Sequence, residues 1–446
     1  MNIDVGWMVR FRGEIANSEG FSPEQMAQYR LGRLAAICEH ARRNTAYYRK
    51  RLAPLFASGR FDFARWDEVP VLTRELALSR YQELRATRLP SHAGDSEEQH
   101  TSGSTGAPLR FLVCAAQKMA AQVFSQRGYD WWGMDGARNF GGIHIFIGED
   151  HEKLAERGRR GWRFDVTSGG NYGCPLHWST DYMFDWLERK NIRYLSTRPA
   201  MAEMLAEAAL ERGLRPRLEA LLTVGGPLTQ ATRELCLEAF GLPIRDTYGS
   251  TECGNLALDC PQCGLLHINE ENALIEIVRD DGTACAPGEV GRLLITPFFS
   301  FAMPLVRYDS GDFAELAAQP NPCGRPLRSL RRVLGRESEA FLRRDGSRFF
   351  PITSAKLCAK YMAFEQIQFV QTNYDTIELR YVKDPLSDRL DRPGLEHHLQ
   401  QEFGPRLVTK LVPVPEIPRG PAAKFLYHRC EMQRPVPPLL AKAGRP

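Results

Sequence analysis

Helical patterns alternate with short apolar runs along most of this chain, and this alternation is the strongest constraint on its fold. Helix-like periodicity extends over 23–52, 114–131 and 179–212. Apolar runs of strand length lie at 143–147, 194–196, 221–224, 273–278 and 292–296. Helices that alternate with buried strands are typical of α/β proteins. The turn Asp280-Asp281-Gly282 predicts antiparallel pairing for the later strands.

A different pattern begins after Gly335. Two alternating strands, 365–371 and 376–382, lie between helical segments at 353–362 and 393–403, and an extended segment follows at 406–413. This α-β-β-α-β order predicts a small α+β domain. We therefore divide the chain into a large body, 1–335, and a small C-terminal domain, 336–446. The end of that domain, PVPPLLAKAGRP, is predicted to be loose.

The composition is that of a globular protein. The chain has 446 residues, of which 43% are hydrophobic and 25% are charged, so a substantial core can form. The formal net charge is only +4, and the basic residues are interspersed with acids, which argues against a nucleic-acid or membrane partner. The N-terminal residues show neither a signal-peptide pattern nor a long apolar run. A cytoplasmic location is the expectation.

The stretch HTSGSTGAP, residues 100–108, combines hydroxyl side chains with two glycines. One interpretation is a tight hairpin turn before the strand-like run 109–113. The other is an anion cradle, in which backbone N–H groups and hydroxyls converge on a phosphate. The Gly-Lys-Ser/Thr of P-loop ATPases does not follow, and the stretch alone leaves both interpretations open.

Further characteristic stretches lie downstream: TVGGPLT (223–229), DTYGSTECG (246–254), PLVRYDSGDF (304–313), VLGRESE (333–339) and IPRGPAAKF (417–425). In order and spacing, these stretches and the first one resemble the acyl-adenylate-forming superfamily, and in particular its phenylacetate-coenzyme A ligase branch. The resemblance runs from about Tyr29 to Arg429. It implies an α/β, multi-sheet N-terminal body of the adenylate-forming type, followed by a small, mobile α+β lid.

The resemblance also implies an activity, that of an AMP-forming acid-thiol ligase. ATP would activate a carboxylic acid, aromatic or heteroaromatic, as acyl-AMP, and the thiol of coenzyme A would then take the acyl group. An acyl carrier protein or an amine is an alternative acceptor, and a non-catalytic binding descendant of the fold is a further alternative. The expected partners are a small acid and coenzyme A, and a homodimer is the expected assembly.

Similarity to this family favours the anion cradle as the interpretation of residues 100–108. Its polar and glycine residues would hold the β- and γ-phosphates of ATP through backbone and hydroxyl donors: Thr101, Ser102, Gly103, Ser104, Thr105 and Gly106. The next residue is Ala107, where the family usually has lysine. One charged phosphate contact is therefore missing, and weaker ATP binding is the expectation.

The other stretches would complete the nucleotide site. Six positions match the adenine-binding segments of the family: Gly225, Gly226, Pro227, Tyr248, Gly249 and Ser250. Tyr248 would stack on the adenine, Thr251 would contact the α-phosphate, and Glu252 would bind Mg²⁺. Asp312 would accept both ribose hydroxyls, and Arg336 would contact ribose and phosphate.

Lys424 resembles the lid lysine that bridges the attacking carboxylate and the α-phosphate. Its assignment depends on position alone, because exposed lysines are common. The family hinge usually carries Asp, whereas Ser338 and Glu339 stand there in this chain. Rotation is still expected, because a hinge depends on backbone freedom. For Arg307 and Asp309, a surface ion pair on a strand is as good an interpretation as a direct role.

Cys260 and Cys263 form a C-x2-C pair, a spacing that lets two thiolates bind one zinc ion. Members of the resembled branch carry a structural metal here, which implies Cys323 and Cys253 as the other ligands, with His267 in reserve. Buried free thiols are the alternative. A closed four-ligand site would stabilise the turn around Glu252 rather than take part in the chemistry.

The acid pocket is expected between residues 131 and 200. Five ring side chains are its candidates: Trp131, Trp132, His144, Tyr172 and Trp178. They could sandwich a flat acid or belong to the core, and the pattern does not separate these interpretations. No particular acid follows from the sequence.

Overall fold

The structure, a computed structural model, describes residues 4–101, 108–144, 151–351, 355–404, 407–418 and 427–443. Its helices are α1 (Val5–Ser18), α2 (Pro23–Asn44), α3 (Tyr48–Arg51), α4 (Arg74–Ser79), α5 (Tyr81–Leu84), α6 (Ala115–Trp131), α7 (His151–Glu156), α8 (Thr180–Arg189), α9 (Pro199–Arg212), α10 (Gln230–Phe240), α11 (Ala355–Ala359), α12 (Arg392–Phe403) and α13 (Pro438–Ala441). Among these described helices, none combines the length and apolar character that a membrane span requires.

The strands contain four of the predicted apolar runs, at 194–196, 221–224, 273–278 and 292–296. They are β1 (Ser96–His100), β2 (Arg110–Cys114), β3 (Asn139–His144), β4 (Arg159–Arg160), β5 (Gly170–Pro175), β6 (Ile192–Thr197), β7 (Ala220–Val224), β8 (Ile244–Ser250), β9 (Gly254–Asp259), β10 (Leu266–Ile268), β11 (Ala273–Val278), β12 (Val290–Pro297), β13 (Tyr308–Leu316), β14 (Ser329–Arg336), β15 (Phe341–Leu342), β16 (Arg348–Phe349), β17 (Gln366–Asn373), β18 (Thr376–Val382), β19 (Val408–Pro413) and β20 (His428–Cys430). The predicted α/β fold class is confirmed.

One large sheet of the described residues has the order β11-β12-β13-β14-β10-β9-β8-β7-β6-β3-β5-β4. Strands β5, β3, β6, β7 and β8 pair in parallel. From β8 through β9, β10, β14, β13 and β12 to β11, every pairing is antiparallel. The predicted antiparallel turn at 280–282 is thereby confirmed. Strand β8 is the junction of the two halves, because it pairs in parallel with β7 and antiparallel with β9. The turn 251–253 follows β8 at this junction.

Separate apolar cores cover the two halves of this sheet. Trp186 of α8, Leu205 of α9 and Cys236 of α10 are buried against the parallel half. Helices α1, α2 and α6 contribute to the core of the antiparallel half. The segment 179–212, predicted as helical, contains two helices with β6 between them, because the apolar run 194–196 is a buried strand.

The C-terminal residues form a smaller sheet with the order β19-β18-β17-β20. Strands β17 and β18 form an antiparallel hairpin, and β19 and β20 join it in parallel on its two edges. Leu395 and Leu399 of α12 are buried against Phe369 and Leu379 of the hairpin. The predicted α-β-β-α-β order is confirmed, with β20 as an addition. The domain division at 335/336 stays a prediction.

The prediction of a loose tail is wrong for α13 and the residues just after it. Leu439 and Ala443 are buried in the core of the antiparallel half. The amide of Leu439 donates to the carbonyl of Asp280 at 2.9 Å. Leu439 and Leu440 supply the apolar surface that packs this segment against the core. The prediction missed this contact because it relied on the high proline content of the tail.

Candidate functional site

The predicted adenine-binding residues meet where β7 and β8 end. These strands are parallel, with Val224 opposite Thr247, so the residues after them leave the sheet at the same edge. Ligands of open α/β sheets bind outside this carboxyl edge. Gly225, Gly226 and Pro227 are exposed there. Gly225 has φ +79°, a left-handed conformation that glycine adopts without strain.

Tyr248 and Asp312 are joined directly. The Tyr248 hydroxyl donates a hydrogen bond of 2.8 Å to Oδ2 of Asp312. Burial, followed by the negative charge of Asp312, raises the pKa of Tyr248 well above its usual value, so the phenol remains a donor. The hydrogen bond fixes the ring of Tyr248 at the edge of the sheet, which suits a stacking surface for a base.

Arg336 lies directly opposite Asp312 in the antiparallel pairing of β13 and β14. Its Nε is 3.8 Å from Oδ1 of Asp312, and the two side chains are 32% and 16% exposed. A carboxylate accepts up to about four hydrogen bonds, so Tyr248 takes only part of the acceptor capacity of Asp312. The arrangement fits a vicinal diol on the carboxylate and an anion beside the guanidinium.

Glu252 lies in the turn after β8 and is 5% exposed. The side-chain amide of Gln117 donates to the Glu252 carbonyl at 2.9 Å, which fixes the backbone of the turn. Burial raises the pKa of the Glu252 carboxyl. A divalent cation would offset that cost of ionisation, so the residue fits a Mg²⁺ ligand. Thr251 beside it is exposed and accessible to a ligand.

Gly249 and Ser250 shape the same turn. A Cβ at Gly249 would lie 2.5 Å from the carbonyl oxygen of Gly254, so only glycine permits this close approach of β8 and β9. The Ser250 hydroxyl accepts from the amide of Cys253 at 3.1 Å. Both residues therefore have structural roles, and their nucleotide contacts stay predictions.

Part of the predicted site lies outside the described residues, namely Lys424 and the loop residues Ser102, Gly103, Ser104, Thr105 and Gly106. Thr101 is described. Its amide donates to the carbonyl of Leu109 at 2.9 Å, and its hydroxyl accepts from the amide of Leu109 at 3.0 Å. These bonds extend the antiparallel pairing of β1 and β2. The hairpin interpretation is thereby confirmed for the stem, and the anion cradle stays a prediction.

Comparison with known proteins identifies the fold. Residues 166–297 match the family model described as AMP-binding enzyme. A crystal structure of 2-hydroxyisobutyryl-CoA ligase, in the postadenylation state in complex with 2-HIB-AMP, aligns with a TM-score of 0.68 at 19% identity, over 91% of this chain and 89% of that one. The chain has the adenylate-forming fold. The resemblance read from the motifs is confirmed.

Two curated relatives carry the same ligase name. Phenylacetate-coenzyme A ligase of Thermus thermophilus is 29% identical over 203 residues, which are 44% of this chain and 45% of the relative. Phenylacetate-coenzyme A ligase of Escherichia coli is 33% identical over 129 residues, 28% of this chain and 29% of the relative. The matched region spans less than half the length of either relative.

Cys260, Cys263, His267 and Cys323 form a cluster whose ligand atoms all lie within 4.8 Å of one another. Nε2 of His267 is 3.2 Å from Sγ of Cys323 and 3.7 Å from Sγ of Cys263. Nδ1 faces the carbonyl of Leu327 at 3.4 Å, which favours a proton on Nδ1 and leaves Nε2 for a metal. Tetrahedral zinc with bonds of about 2.0–2.3 Å separates its ligand atoms by about 3.3–3.8 Å, so the cluster fits zinc.

Cys253 is not part of this cluster, and its selection as the fourth ligand was wrong. It is buried in the core of the antiparallel half, and its carbonyl accepts from the side chain of Asn272 at 3.3 Å. Burial raises the pKa of its thiol well above the usual value. His267, held in reserve, is the residue that faces the three thiols. The signal was its place on β10, immediately after the Cys260–Cys263 turn.

Most of the predicted pocket aromatics have structural partners. The indole N–H of Trp131 donates to Glu19 at 2.9 Å, and that of Trp132 donates to the carbonyl of Asp259 at 2.8 Å. Tyr172 packs on the core of the parallel half. Trp178 stacks edge-on against Tyr182, with ring centroids 4.3 Å apart. All four rings are partly buried and have structural partners, and their part in an acid pocket stays a prediction.

His144 is the pocket candidate that lies at the carboxyl edge of the parallel half. It ends β3, whose carboxyl end lies at the same edge of the sheet as the ends of β7 and β8. Its Nε2 is 3.2 Å from the hydroxyl of Ser196. Burial, followed by the charge of Arg198, lowers the pKa of His144 to about 4. At neutral pH it is therefore an uncharged hydrogen-bonding group.

Arg307 and Asp309 do not form a surface ion pair, and that interpretation was wrong. Both are buried. Arg307 pairs with Glu276 at 3.1 Å, whereas Asp309 pairs with Arg292 at 3.0 Å. The two residues therefore serve separate buried ion pairs: the partner of Asp309 lies on the adjacent strand β12, and that of Arg307 lies on β11, one strand further along the sheet.

Proposed function

We propose that this chain is an AMP-forming acid-thiol ligase that activates a carboxylic acid with ATP and transfers the acyl group to coenzyme A. The observation that carries the proposal is the hydrogen bond between Tyr248 and Asp312 at the carboxyl edge of the sheet, with Arg336 opposite and Glu252 buried in the adjoining turn. The ligase names of the relatives and the acyl-AMP of the structural neighbour support it.

In the first half-reaction, an oxygen of the acid attacks the α-phosphorus of ATP. The bond from that phosphorus to the bridging oxygen breaks, and pyrophosphate leaves with the electron pair. Both reactants are anionic, so the site must screen their charges. Thr251 would donate to the α-phosphate, and Thr101 and the loop after it would donate to the other phosphates. Glu252 would hold Mg²⁺, which supplies positive charge to the phosphates when bound.

Lys424 would complete the first half-reaction from the lid. Its ammonium would bridge the attacking carboxylate and the α-phosphate and stabilise the charge shared between them in the transition state. A group on a mobile domain is present only when the domain closes, so closure and activation would be coupled.

In the second half-reaction, the thiol of coenzyme A attacks the acyl carbon of acyl-AMP. The carbon–sulfur bond forms, the bond to the phosphate oxygen breaks, AMP leaves and the thiol loses its proton. Rotation of the lid about Ser338 and Glu339 would expose the adenylate to the thiol. An acyl carrier protein or an amine is the alternative acceptor. A homodimer stays a prediction.

The acid is proposed to be aromatic or heteroaromatic and to lie near His144. This residue is uncharged at neutral pH, so it would recognise the acid through a hydrogen bond and not through an ion pair. A neutral group in this position would leave the carboxylate of the acid available for attack, because an uncharged imidazole does not form an ion pair with it.

A structural zinc ion is the second part of the proposal. Cys260, Cys263, His267 and Cys323 would bind it as a closed four-ligand site with no open position for chemistry. The guanidinium of Arg325 donates to Sγ of Cys260 at 3.2 Å and would offset the excess charge of three thiolates. The ion would connect the β9–β10 turn to the segment before β14.

Pyrophosphate release tests the proposed function. The protein is incubated with ATP, Mg²⁺ and a panel of aromatic, heteroaromatic and short aliphatic acids, first without and then with coenzyme A. Release that depends on an aromatic acid, followed by thioester formation, is the expected result. Nucleotide binding without release for any acid would favour the non-catalytic descendant.

A further inference from the structure

Two buried amide side chains hold the backbone of the turn 251–253 and the residues just after it. The side-chain amide of Gln117 on α6 donates to the carbonyl of Glu252 at 2.9 Å. The side-chain amide of Asn272 donates to the carbonyl of Cys253 at 3.3 Å and to that of Asn255 at 2.9 Å. Both amide residues are buried. The position of this turn is therefore determined by side chains that are distant from it in sequence.

The peptide group between Glu252 and Cys253 is bound at both of its polar atoms. Gln117 donates to its carbonyl oxygen, and the hydroxyl of Ser250 accepts from its N–H at 3.1 Å. Because a peptide group is planar, these two bonds together restrain the rotation of the whole plane. Glu252 carries both the restrained carbonyl and the carboxylate proposed for Mg²⁺. The bond from Gln117 therefore limits where this carboxylate can lie.

Helix α6 provides a rigid support for this contact. Gln117, Ala121 and Ser125 follow one another at intervals of four residues, so they lie on one face of the helix. The side chain of Asn255 donates to the carbonyl of Ala121 at 3.1 Å and to the hydroxyl of Ser125 at 2.6 Å. The same helix face therefore contacts both the turn of Glu252 and the beginning of β9.

Only one half of the Gln117 amide is hydrogen-bonded. Its Oε1 is buried and has no hydrogen-bond partner among the described residues. An unpaired buried acceptor lowers stability, so an apolar side chain of similar length would suit packing alone better than glutamine. What glutamine adds at this position is the hydrogen bond to the carbonyl of Glu252.

We propose that Gln117 is a positioning residue for Mg²⁺ binding, because it holds the carbonyl of Glu252 and thereby orients the Glu252 carboxylate toward the ion that accompanies ATP. This inference rests on the proposed function. Gln117 is buried and acts through Glu252. Its loss should therefore affect nucleotide binding with Mg²⁺ and leave binding of AMP, which depends on Asp312 and Tyr248, unchanged.

The test compares Gln117→Met with Gln371→Met. Gln371 is the matched control because it is a buried glutamine of the C-terminal sheet that also donates to a backbone carbonyl, that of Leu342, at 2.8 Å. Calorimetric titrations measure the affinity for ATP with saturating Mg²⁺ and with EDTA, and the affinity for AMP. Gln117→Met should lose about tenfold or more of its affinity for ATP with Mg²⁺ and keep its affinity for AMP. Gln371→Met should bind both nucleotides like the wild type.

Thermal unfolding of the same variants separates positioning from a merely structural role. Gln117→Met should unfold within about 2 °C of the wild type, because loss of one hydrogen bond is offset by removal of the unpaired acceptor. Gln371→Met should lose about 4 °C or more, because Oε1 of Gln371 also accepts from the amide of Leu342 at 2.7 Å and the whole amide is paired.

The outcomes distinguish this inference from the proposed function. A Gln117→Met protein that fails to fold, or that loses as much stability as Gln371→Met, would overturn the inference, because either result indicates a structural role. Unchanged affinity for ATP with Mg²⁺, or equal losses for ATP and AMP, would also overturn it and leave the proposed function intact. A wild-type protein that binds neither nucleotide would overturn both.

Discussion

The hydroxyl of Tyr248 is 2.8 Å from Oδ2 of Asp312, although their strands, β8 and β13, are separated in the sheet by β9, β10 and β14. A flat sheet would hold strands four positions apart at about 19 Å, because neighbouring strands lie about 4.8 Å apart. The antiparallel half must therefore curve toward the carboxyl edge of the parallel half. This curvature brings together two residues of the proposed nucleotide site that are 64 positions apart in sequence.

Replacement of Asp312 should weaken binding of every adenosine nucleotide. Asp312→Ala removes the ribose acceptor, so affinities for AMP and ATP should both fall by about 10–100-fold, as for loss of hydrogen bonds to a charged group. Tyr248→Phe should give a smaller loss, because the carboxylate remains. Titration calorimetry with AMP measures the affinity of both variants. Asp281→Ala, which removes an exposed acid, is the control. Normal AMP binding by Asp312→Ala would remove this residue from the site.

Metal analysis should separate His267 from Cys253. His267→Ala should lose one equivalent of zinc per chain and lower the unfolding temperature, because His267 faces the thiols of Cys263 and Cys323. Cys253→Ala should keep its zinc. Elemental analysis of purified protein, with thermal unfolding of the same samples, provides the measurement. Zinc retained by His267→Ala and lost from Cys253→Ala would restore the ligand set expected from sequence.

The pH dependence of stability should contain a contribution from His144. Its folded-state pKa of about 4 lies below the unfolded value of about 6.5, so between these values the unfolded chain binds more protons. Stability from this group is complete above pH ~6.5 and is lost as the pH falls toward ~4, by up to about 3 kcal/mol. Urea unfolding of wild type and His144→Gln at several pH values measures it. The stability difference between the two proteins should shift in favour of the variant as the pH falls; a constant difference would contradict the assignment.

Lys424 should be needed for adenylation and not for nucleotide binding. Lys424→Ala should lower the rate of acyl-AMP formation by about 100-fold or more, as expected when a charge that stabilises the transition state is removed. ATP affinity should change little, because the lid lysine acts in the closed state. Lys410→Ala is the matched control, since Lys410 is an exposed lysine on β19 of the C-terminal sheet. Wild-type turnover by Lys424→Ala would exclude it from the mechanism.

The sequence predicted much of the fold, because local patterns determine it. The strand of Ala273–Val278, the hairpin around Asn373 and the helix of Arg392–Phe403 all follow from periodicity and turn residues. The docking of Leu439 was missed because it depends on a distant surface beside Asp280.

The residues of the candidate site that lie in family motifs could be predicted from the sequence. Asp312 and Arg336 were identified by their motifs, and their strands place them opposite each other. The choice between Cys253 and His267 could not be made from spacing, because it depends on which way each side chain points after the turn.

Single-turnover analysis without coenzyme A tests the central claim most directly. The protein is mixed with ATP, Mg²⁺ and an acid from the panel that supports pyrophosphate release, and the bound species are identified by mass spectrometry. The account predicts one acyl-AMP and one pyrophosphate per active chain, and conversion of the acyl-AMP to acyl-coenzyme A and AMP when coenzyme A is added. Formation of ADP and phosphate, or recovery of unchanged ATP with every acid, would contradict it.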